Sequence, residues 1–438
     1  MTTRLGKCLL SVGSLILALL IAEVGLRIIL LGKSEMFRKF RSPGLYADYY
    51  NGDDYWKLYY LFDGEYKPPA NPHPLLGWIG DFQRNSLMHN KIAELGRRRP
   101  VLLYGDSYAQ CAPGVSCFQE LLNSDNSFSK DHYLLNYGVG GYGVDQIALL
   151  CRNTAHRYQR PIVIFSLMVA DLDRTPLTVR TGQKPFVRIV DDSLVLSGVP
   201  IERNPADFFS THPPEVTSYL WRRFLNLDLG ILPKSLTAKL KGEKQFRDEK
   251  IRLNKKVLDA VVKDLRESGI SFMFVVFHYI EPGNQQFSVK DENNWRDQFL
   301  WMYMEKAKVP FIWTKELIRK DPAYDGSNID TYMILENGHP TTYLNGLIAN
   351  QMQTKVRELE VLEASDASHS SQEWRLERDN LLYLDMIQAQ ERKIHDSPEL
   401  MERVKRRAWE ENLTVDRSVR DAAIQSVGQG PELYDFTW

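Results

Sequence analysis

The chain has 438 residues, with 55 lysines and arginines against 56 aspartates and glutamates. That near-balance excludes the strongly basic surface that nucleic-acid binding requires, so no nucleic-acid partner is expected. A hydrophobic share of 43% is ample for a large core, and the length admits one large domain with additions.

Residues 8–32, CLLSVGSLILALLIAEVGLRIILLG, depart from this average. The stretch is long enough to cross a hydrocarbon layer about 30 Å thick. Glu23 and Arg27 stand four apart and can pair on one helix face. The run exceeds the apolar region of a cleaved signal peptide and has no small-x-small cleavage site. A single uncleaved anchor in the lipid bilayer is therefore expected, with its flank over 1–41. Cys8 follows Gly6-Lys7 in the charged flank and does not read as a lipidation cysteine. Arg4 and Lys7 precede the span, whereas Lys33, Arg38, Lys39 and Arg41 follow it. Taken alone, that count leans towards a cytoplasmic body.

Residues 42–95 form an aromatic-rich lead-in that includes Tyr46, Tyr49, Tyr50, Tyr55, Trp56, Tyr59, Tyr60, Phe62 and Tyr66, and ends near Leu75-Leu76-Gly77-Trp78. Such residues can stack on sugars, but more often they pack a connecting segment onto its domain. From residue 101 the pattern alternates. Apolar runs at 101–104, 132–136, 162–167, 270–277 and 309–313 read as buried strands. Between them, helical patterns cover 114–122, 249–268 and 293–308. This spacing predicts an α/β domain over 96–354, built on an open sheet of about five parallel strands. The long gap at 172–248 reads as an inserted cap containing a hairpin near 185–196, since long connections of this kind are usually lids or binding loops. Residues 355–438 read as a charged helical extension, with helices over 373–392 and 397–425.

Three stretches carry chemistry. Gly105-Asp106-Ser107 ends the first strand, where a helix can open at about Tyr108. A serine at such a turn points out at the carboxyl end of the sheet, near backbone N–H groups suited to an oxyanion. Asn136-Tyr-Gly138-Val-Gly140-Gly141-Tyr-Gly143 follows the second strand. Its Gly-x-Gly-x-x-Gly spacing is not a dinucleotide fingerprint, because it follows the wrong strand and lacks a ribose-binding acid. Glu336-Asn-Gly-His339-Pro340 precedes a helical pattern at 341–352, and a histidine there can serve as the base for a serine nucleophile. No His/Cys cluster has ligand spacing, so neither a metal nor an organic cofactor is expected.

In this order the three blocks resemble those of the SGNH/GDSL hydrolases, over roughly 72–354. The membrane-anchored branch of that family is also similar in its Glu-x-x-x-Arg within the anchor and its Leu-Gly-Trp before the sheet. The resemblance implies a flavodoxin-like three-layer fold and action on O-acyl esters, as an esterase on an acylated small molecule, glycan or lipid. It implies Ser107 as nucleophile, His339 as base and Glu336 where an aspartate is usual, with the amides of Ser107 and Gly141 as oxyanion donors. It also implies a body outside the cytoplasm, against the charge count, and there Cys111 and Cys117 could bridge. The family's third block supplies an asparagine to the oxyanion hole, but here Ala170 stands in its place, before Asp171. An O-acyltransferase of the same fold, or a non-catalytic glycan-binding or assembly protein, are the alternatives.

Overall fold

In the structure, a computed structural model, the five apolar runs form the strands of one parallel sheet: Arg99–Gly105, His132–Gly138, Ile162–Met168, Ser271–Phe277 and Phe311–Trp313. The described residues are 4–32, 34–47, 52–63, 69, 71–80, 92–158, 160–202, 204–227, 233–281, 287–365, 391–410, 414–416, 418–419 and 422–423. Every residue of the first three strands is buried. A strand covered on both faces needs no polar alternation, which is why these read as continuous apolar runs.

The strands lie in the order second, first, third, fourth, fifth. Val101 stands opposite both Leu134 and Ile162, and Phe165 opposite Phe274. This is the flavodoxin-like order, whose direction of winding reverses between the first and third strands. Open α/β sheets bind ligands outside the carboxyl ends of their strands at that reversal. The Gly105-Asp106-Ser107 turn lies there.

Helices cover both faces. On one, the Val144–Thr154 and Glu243–Glu267 helices are joined by Arg152 and Asp264 at 3.0 Å. The longer helix buries Leu253, Val257, Leu258, Val261, Val262 and Leu265, a helical stripe. On the other face lie Phe118–Ser124 and Thr342–Ser365. The last of these continues well past residue 352, where the sequence pattern was expected to stop. Leu344, Ile348, Met352, Val356 and Leu359 keep the buried stripe unbroken, so the expected boundary at 355 falls inside a helix. Most of the helix expected at 373–392 lies outside the described residues. Of 397–425, Pro398–Glu410 is helical, and Ile394, Val404, Val419 and Ala423 form a small apolar cluster.

The chain divides into two compact units. The sheet belongs to one, with Ala70–Thr175, Pro185–Ile201 and Ile251–Trp438; the other joins Met1–Pro69, Pro176–Lys184 and Glu202–Lys250. The insertion expected over 172–248 is thus shared. Its hairpin, Phe186–Val190 paired with Ser193–Ser197, belongs to the sheet unit, and most of the remainder to the other. In that second unit the aromatic lead-in mostly packs inward. Tyr46 and Trp56 are buried, Arg180 lies over the Trp56 ring, and Tyr60 donates to the carbonyls of Arg180 and Thr181. The described part of that segment is connective packing, not an exposed stacking platform. The Arg4–Leu31 helix also belongs to this unit, and its residues Leu9–Leu31 are long and apolar enough to cross a membrane.

The end of the long helix is tied to the sheet by charge. Buried Arg99 meets Glu363 at 2.6 Å and Glu360 at 3.4 Å, and His132 Nε2 meets Glu360 at 2.8 Å. Burial pushes both carboxyls up, but Arg99 with His132 at Glu360, and Arg99 with Ser271 at Glu363, outweigh it and hold them below their ordinary value of 4.5. Depressed acids contribute stability that is fully present above the unfolded value and lost as pH falls through the folded one. Acidification below 4.5 is therefore expected to loosen the last turns of this helix. Amide exchange over 356–365 should speed up as pH is lowered, after correction for intrinsic rates, and Glu360→Gln should blunt the change.

Candidate active site

Ser107 begins a short helix, Ser107–Gln110, whose N-cap is Asp106. The Asp106 carboxylate accepts the Tyr108 N–H at 2.9 Å, satisfying one of the free amides of the helix start. Its other oxygen meets Arg174 Nη1 at 3.1 Å. The same nitrogen donates to Asp171 Oδ1 at 2.6 Å and to the Tyr142 carbonyl at 3.2 Å. Asp106 and Asp171 are fully buried, so one guanidinium holds two buried carboxylates beneath the serine turn. Burial and the neighbouring Asp106 push the Asp171 carboxyl well above the usual range, against the pull of Arg174 and the Met168 N–H.

The second block forms the wall beside the serine. Asn136 fixes its base, donating to the Ala109 carbonyl at 2.8 Å and accepting the Gly138 N–H at 2.9 Å. Gly140 is held from two sides: its N–H donates to Gln110 Oε1 at 2.7 Å, and its carbonyl accepts Trp78 Nε1 at 3.0 Å. Tyr142 in turn donates to the Trp78 carbonyl at 2.5 Å, and the two rings meet edge to face. Leu76-Gly77-Trp78 therefore buttresses this loop, helped by Gln146 donating to the Leu76 carbonyl. In a planar trans peptide the N–H points opposite to the C=O. With the Gly140 carbonyl turned to Trp78, the Gly141 N–H points away from it. That amide and the Ser107 amide make no hydrogen bond among the described residues. Gly141 has φ +83°, a conformation that favours glycine.

The third block brings His339 to the same turn. Its ring stacks on that of Tyr108, the residue after the serine, with centroids 4.9 Å apart. Tyr108 also donates to the Gly338 carbonyl at 2.7 Å; burial and Asp106 push its phenol far up, so it remains a donor. Gly338 has φ +70°, and a Cβ there would strike the Tyr279 ring at 2.4 Å. Tyr279 thus packs against the residue before the histidine. The imidazole Nδ1 lies 3.2 Å from both the backbone carbonyl and the Oδ1 of Asn337. With Nδ1 as the donor to these oxygens, Nε2 is left as the basic nitrogen.

Of the residues expected from sequence, Ser107, Gly141 and His339 gather around one turn. Glu336 does not join them: it is exposed and makes no hydrogen bond or ion pair among the described residues. Asn337 contacts Nδ1 instead, because the Ile334–His339 turn, closed by Ile334 N–H to the His339 carbonyl, presents the neighbouring residue to the ring. Ser107 Oγ comes only to 3.5 Å from Asp106 Oδ2, too long for a strong hydrogen bond, and makes none with His339. Ala170 offers no side-chain donor, and its amide rests 3.1 Å from Met168 Sδ. Asp171 is not at the mouth but buried, its Oδ2 accepting the Met168 N–H. A histidine that does follow a sheet strand, His278, is buried against Trp313 and Thr314. A disulfide joins Cys111 to Cys117 just beyond the serine helix. Sequence reasoning missed Arg174, whose only signal was its place three residues after Asp171, and Asn337, hidden beside a more conventional acid. Among the described residues no group of histidines, cysteines and acids could hold a metal ion.

The chain matches no protein-family model and no curated protein sequence. Solved structures with a similar chain path include Axe2, an acetylxylan esterase from Geobacillus stearothermophilus, at 13% identity and a TM-score of 0.32, covering 61% of this chain and 96% of that one. A lipase/acylhydrolase from Enterococcus faecalis has 12% identity and a TM-score of 0.31, covering 59% and 96%. The acetyl xylan esterase AlAXEase has 12% identity and a TM-score of 0.32, covering 59% and 99%. Likeness of this degree transfers neither activity nor substrate.

Because Arg174 is the cation between two buried acids, its loss leaves buried charge unpaired. Arg174→Met is expected to destabilise the protein by about 3–5 kcal/mol. Asp171→Asn, which keeps the Arg174–Asp106 pair, should cost less. Urea-unfolding midpoints of the two variants check this order.

Proposed function

We propose that this chain is a membrane-anchored serine hydrolase of the SGNH/GDSL kind that cleaves O-acyl esters. The observation that carries the reading is the convergence, at the sheet's switch point, of a serine, a histidine stacked on the adjacent tyrosine, and two backbone amides that make no hydrogen bond among the described residues. Ser107 Oγ attacks the ester carbonyl while His339 Nε2 takes its proton, and the carbonyl oxygen becomes an oxyanion held by the Ser107 and Gly141 amides. Collapse expels the alkoxide, which takes the proton from His339 and leaves an acyl-serine. Water, deprotonated by His339, attacks this ester and releases the carboxylic acid and free Ser107. Catalytic hydrogen bonds commonly tighten only when substrate is bound, so the long Ser107 contacts are compatible with this scheme. In an acyltransferase, a sugar hydroxyl would replace water in the second step.

The orienting group is weaker than in a carboxylate triad. An amide and a carbonyl hold Nδ1 in place but stabilise the imidazolium less than an anion would. Ala170 removes a third oxyanion donor, a change worth about 3 kcal/mol where such donors operate. Both features favour a slow enzyme. Ala170 also supports the second reading, a glycan-binding or assembly protein that retains the fold without turnover.

Labelling by a fluorophosphonate probe separates these readings. Wild type is expected to label at Ser107, and Ser107→Ala and His339→Ala should both abolish labelling and ester turnover, since the two act as a unit. Asn337→Ala should lower kcat by about 10-fold or more, whereas Glu336→Gln should leave it nearly unchanged. A protein inert to probe and to esters favours the binding reading; a large Glu336→Gln loss would restore the acid to the triad.

We infer further that the body lies outside the cytoplasm. The Cys111–Cys117 disulfide supports this, because such bonds persist in oxidising compartments. A C-terminal reporter active only outside the cytoplasm is expected to be active, and one active only inside it silent; the reverse pattern refutes the orientation.

A further inference from the structure

The apolar N-terminal helix carries two charges on its inner half, and both are used to seat another element. Glu23 accepts hydrogen bonds from the N–H groups of Tyr219 and Leu220, at 3.1 and 2.9 Å, and from the Ser218 hydroxyl at 2.9 Å. It thereby caps the Tyr219–Asn226 helix. Arg27 pairs with Glu23 at 2.7 Å, donates to the Thr217 carbonyl at 2.8 Å and lies over the Tyr219 ring. Leu30, Tyr46, Leu58, Phe62, Val216 and Tyr219 form an apolar cluster around this joint.

The depth of that joint is the informative quantity. Leu9–Leu31 is 23 residues, about 34 Å at the helical rise. Glu23 lies about 21 Å and Arg27 about 27 Å along it from Leu9. With Leu9 at one boundary of a hydrocarbon core about 30 Å thick, both fall inside the far boundary. The start of the Tyr219–Asn226 helix is bonded to side chains that rise from within about 9 Å of that boundary, so this helix lies at the edge of the hydrocarbon core rather than above the bilayer.

Its sequence fits that position. Trp221 and Leu227 are 47% and 43% exposed, and Phe224 stacks on Trp221. These three recur at helical spacing on one stripe, and Trp belongs at the headgroup level. The short helix Glu35–Phe40 follows the span directly; Arg41 turns back to bond the Gly32 and Ser34 carbonyls at its end. It adds Met36 and Phe40, 76% and 43% exposed. Lys39 and Arg222 make no ion pair among the described residues and sit beside these apolar groups.

We propose that Tyr219–Asn226 and Glu35–Phe40 form an interfacial docking surface for the same bilayer the anchor crosses, with Trp221, Phe224, Leu227, Met36 and Phe40 entering the acyl boundary and Lys39 and Arg222 meeting anionic lipid headgroups. The proposal rests on the Leu9–Leu31 helix being a span and is independent of the esterase reading. Its consequence is that the unit carrying the anchor is held at the membrane by two contacts beside the span, instead of by the span alone.

The test uses the full-length protein in nanodiscs of phosphatidylcholine and phosphatidylglycerol, with and without bromine on the acyl chains, which quenches any indole it touches. Trp221→Phe is expected to lose the larger part of the quenching seen in wild type. Replacing phosphatidylglycerol by phosphatidylcholine should lower quenching at Trp221. Ile16→Trp, placed in the Trp221→Phe background, reports the span itself. Quenching at position 16 without any at Trp221 overturns the docking and leaves the span; quenching at neither overturns both. Equal quenching in the two lipids overturns the headgroup contact. Shielding of Trp221 that depends on a second protein copy in the disc overturns the proposal in favour of self-association.

Discussion

The site depends on one buried cation. Arg174 reaches beneath the serine turn and holds Asp106, Asp171 and the Tyr142 carbonyl with a single nitrogen. Burying ions costs several kcal/mol each, and their mutual attraction offsets this only with good geometry and further hydrogen bonds. Here the cost fixes geometry. Asp106 can cap the Ser107–Gln110 helix because its second oxygen is held, and the capped helix sets the direction of the serine. Through Tyr142 the same guanidinium reaches the loop that carries Gly141. Ser107 and the loop bearing Gly141 are thus referred to one point.

A second chain of contacts fixes the loop of Gly140 and Gly141. Trp78 accepts from Tyr142 and donates to Gly140, so a segment that precedes the sheet in sequence becomes part of the frame of the site. Gln110, at the end of the serine helix, donates its backbone N–H to the Asp106 carbonyl and accepts the Gly140 N–H on its side chain. The wall and the turn therefore move together. On the proposed esterase reading, amides held in this way are aimed before charge develops, which is the larger part of what such sites contribute.

How much of this could be read from the chain follows from the range of each signal. The strands announced themselves because burial on both faces removes polar residues altogether. Ser107 and Gly141 stood out because each follows a strand closely, and His339 because a glycine and a proline restrict the backbone just before a helix. The residue that contacts His339 Nδ1 could not be read from the chain. Glu336 and Asn337 are adjacent, and which one meets Nδ1 depends on how the Ile334–His339 turn closes, a matter of backbone angles rather than residue type. Arg174 was hidden for another reason. A basic residue in a polar run reads as solvated, and only the topology that packs the Asp171–Arg174 helix against the third strand and beneath the serine turn buries it. The extent of the Thr342–Ser365 helix was missed because its charged end is held by Arg99, more than two hundred residues away in sequence.

The two units make different uses of charge. In the sheet unit, buried ions set side-chain directions around a turn, and the hydrophobic core does the work of stability. In the other unit, Glu23 and Arg27 stand in an otherwise apolar helix, where an unpaired charge would be most costly. Pairing with each other satisfies only part of their hydrogen-bonding capacity. The remainder goes to the backbone of residues 217–220, groups that also need partners because a helix begins there. Each side supplies what the other lacks, and neither is satisfied by a helix lying alone in lipid. The apolar helix is in this way specified jointly with the element it holds, the start of the Tyr219–Asn226 helix.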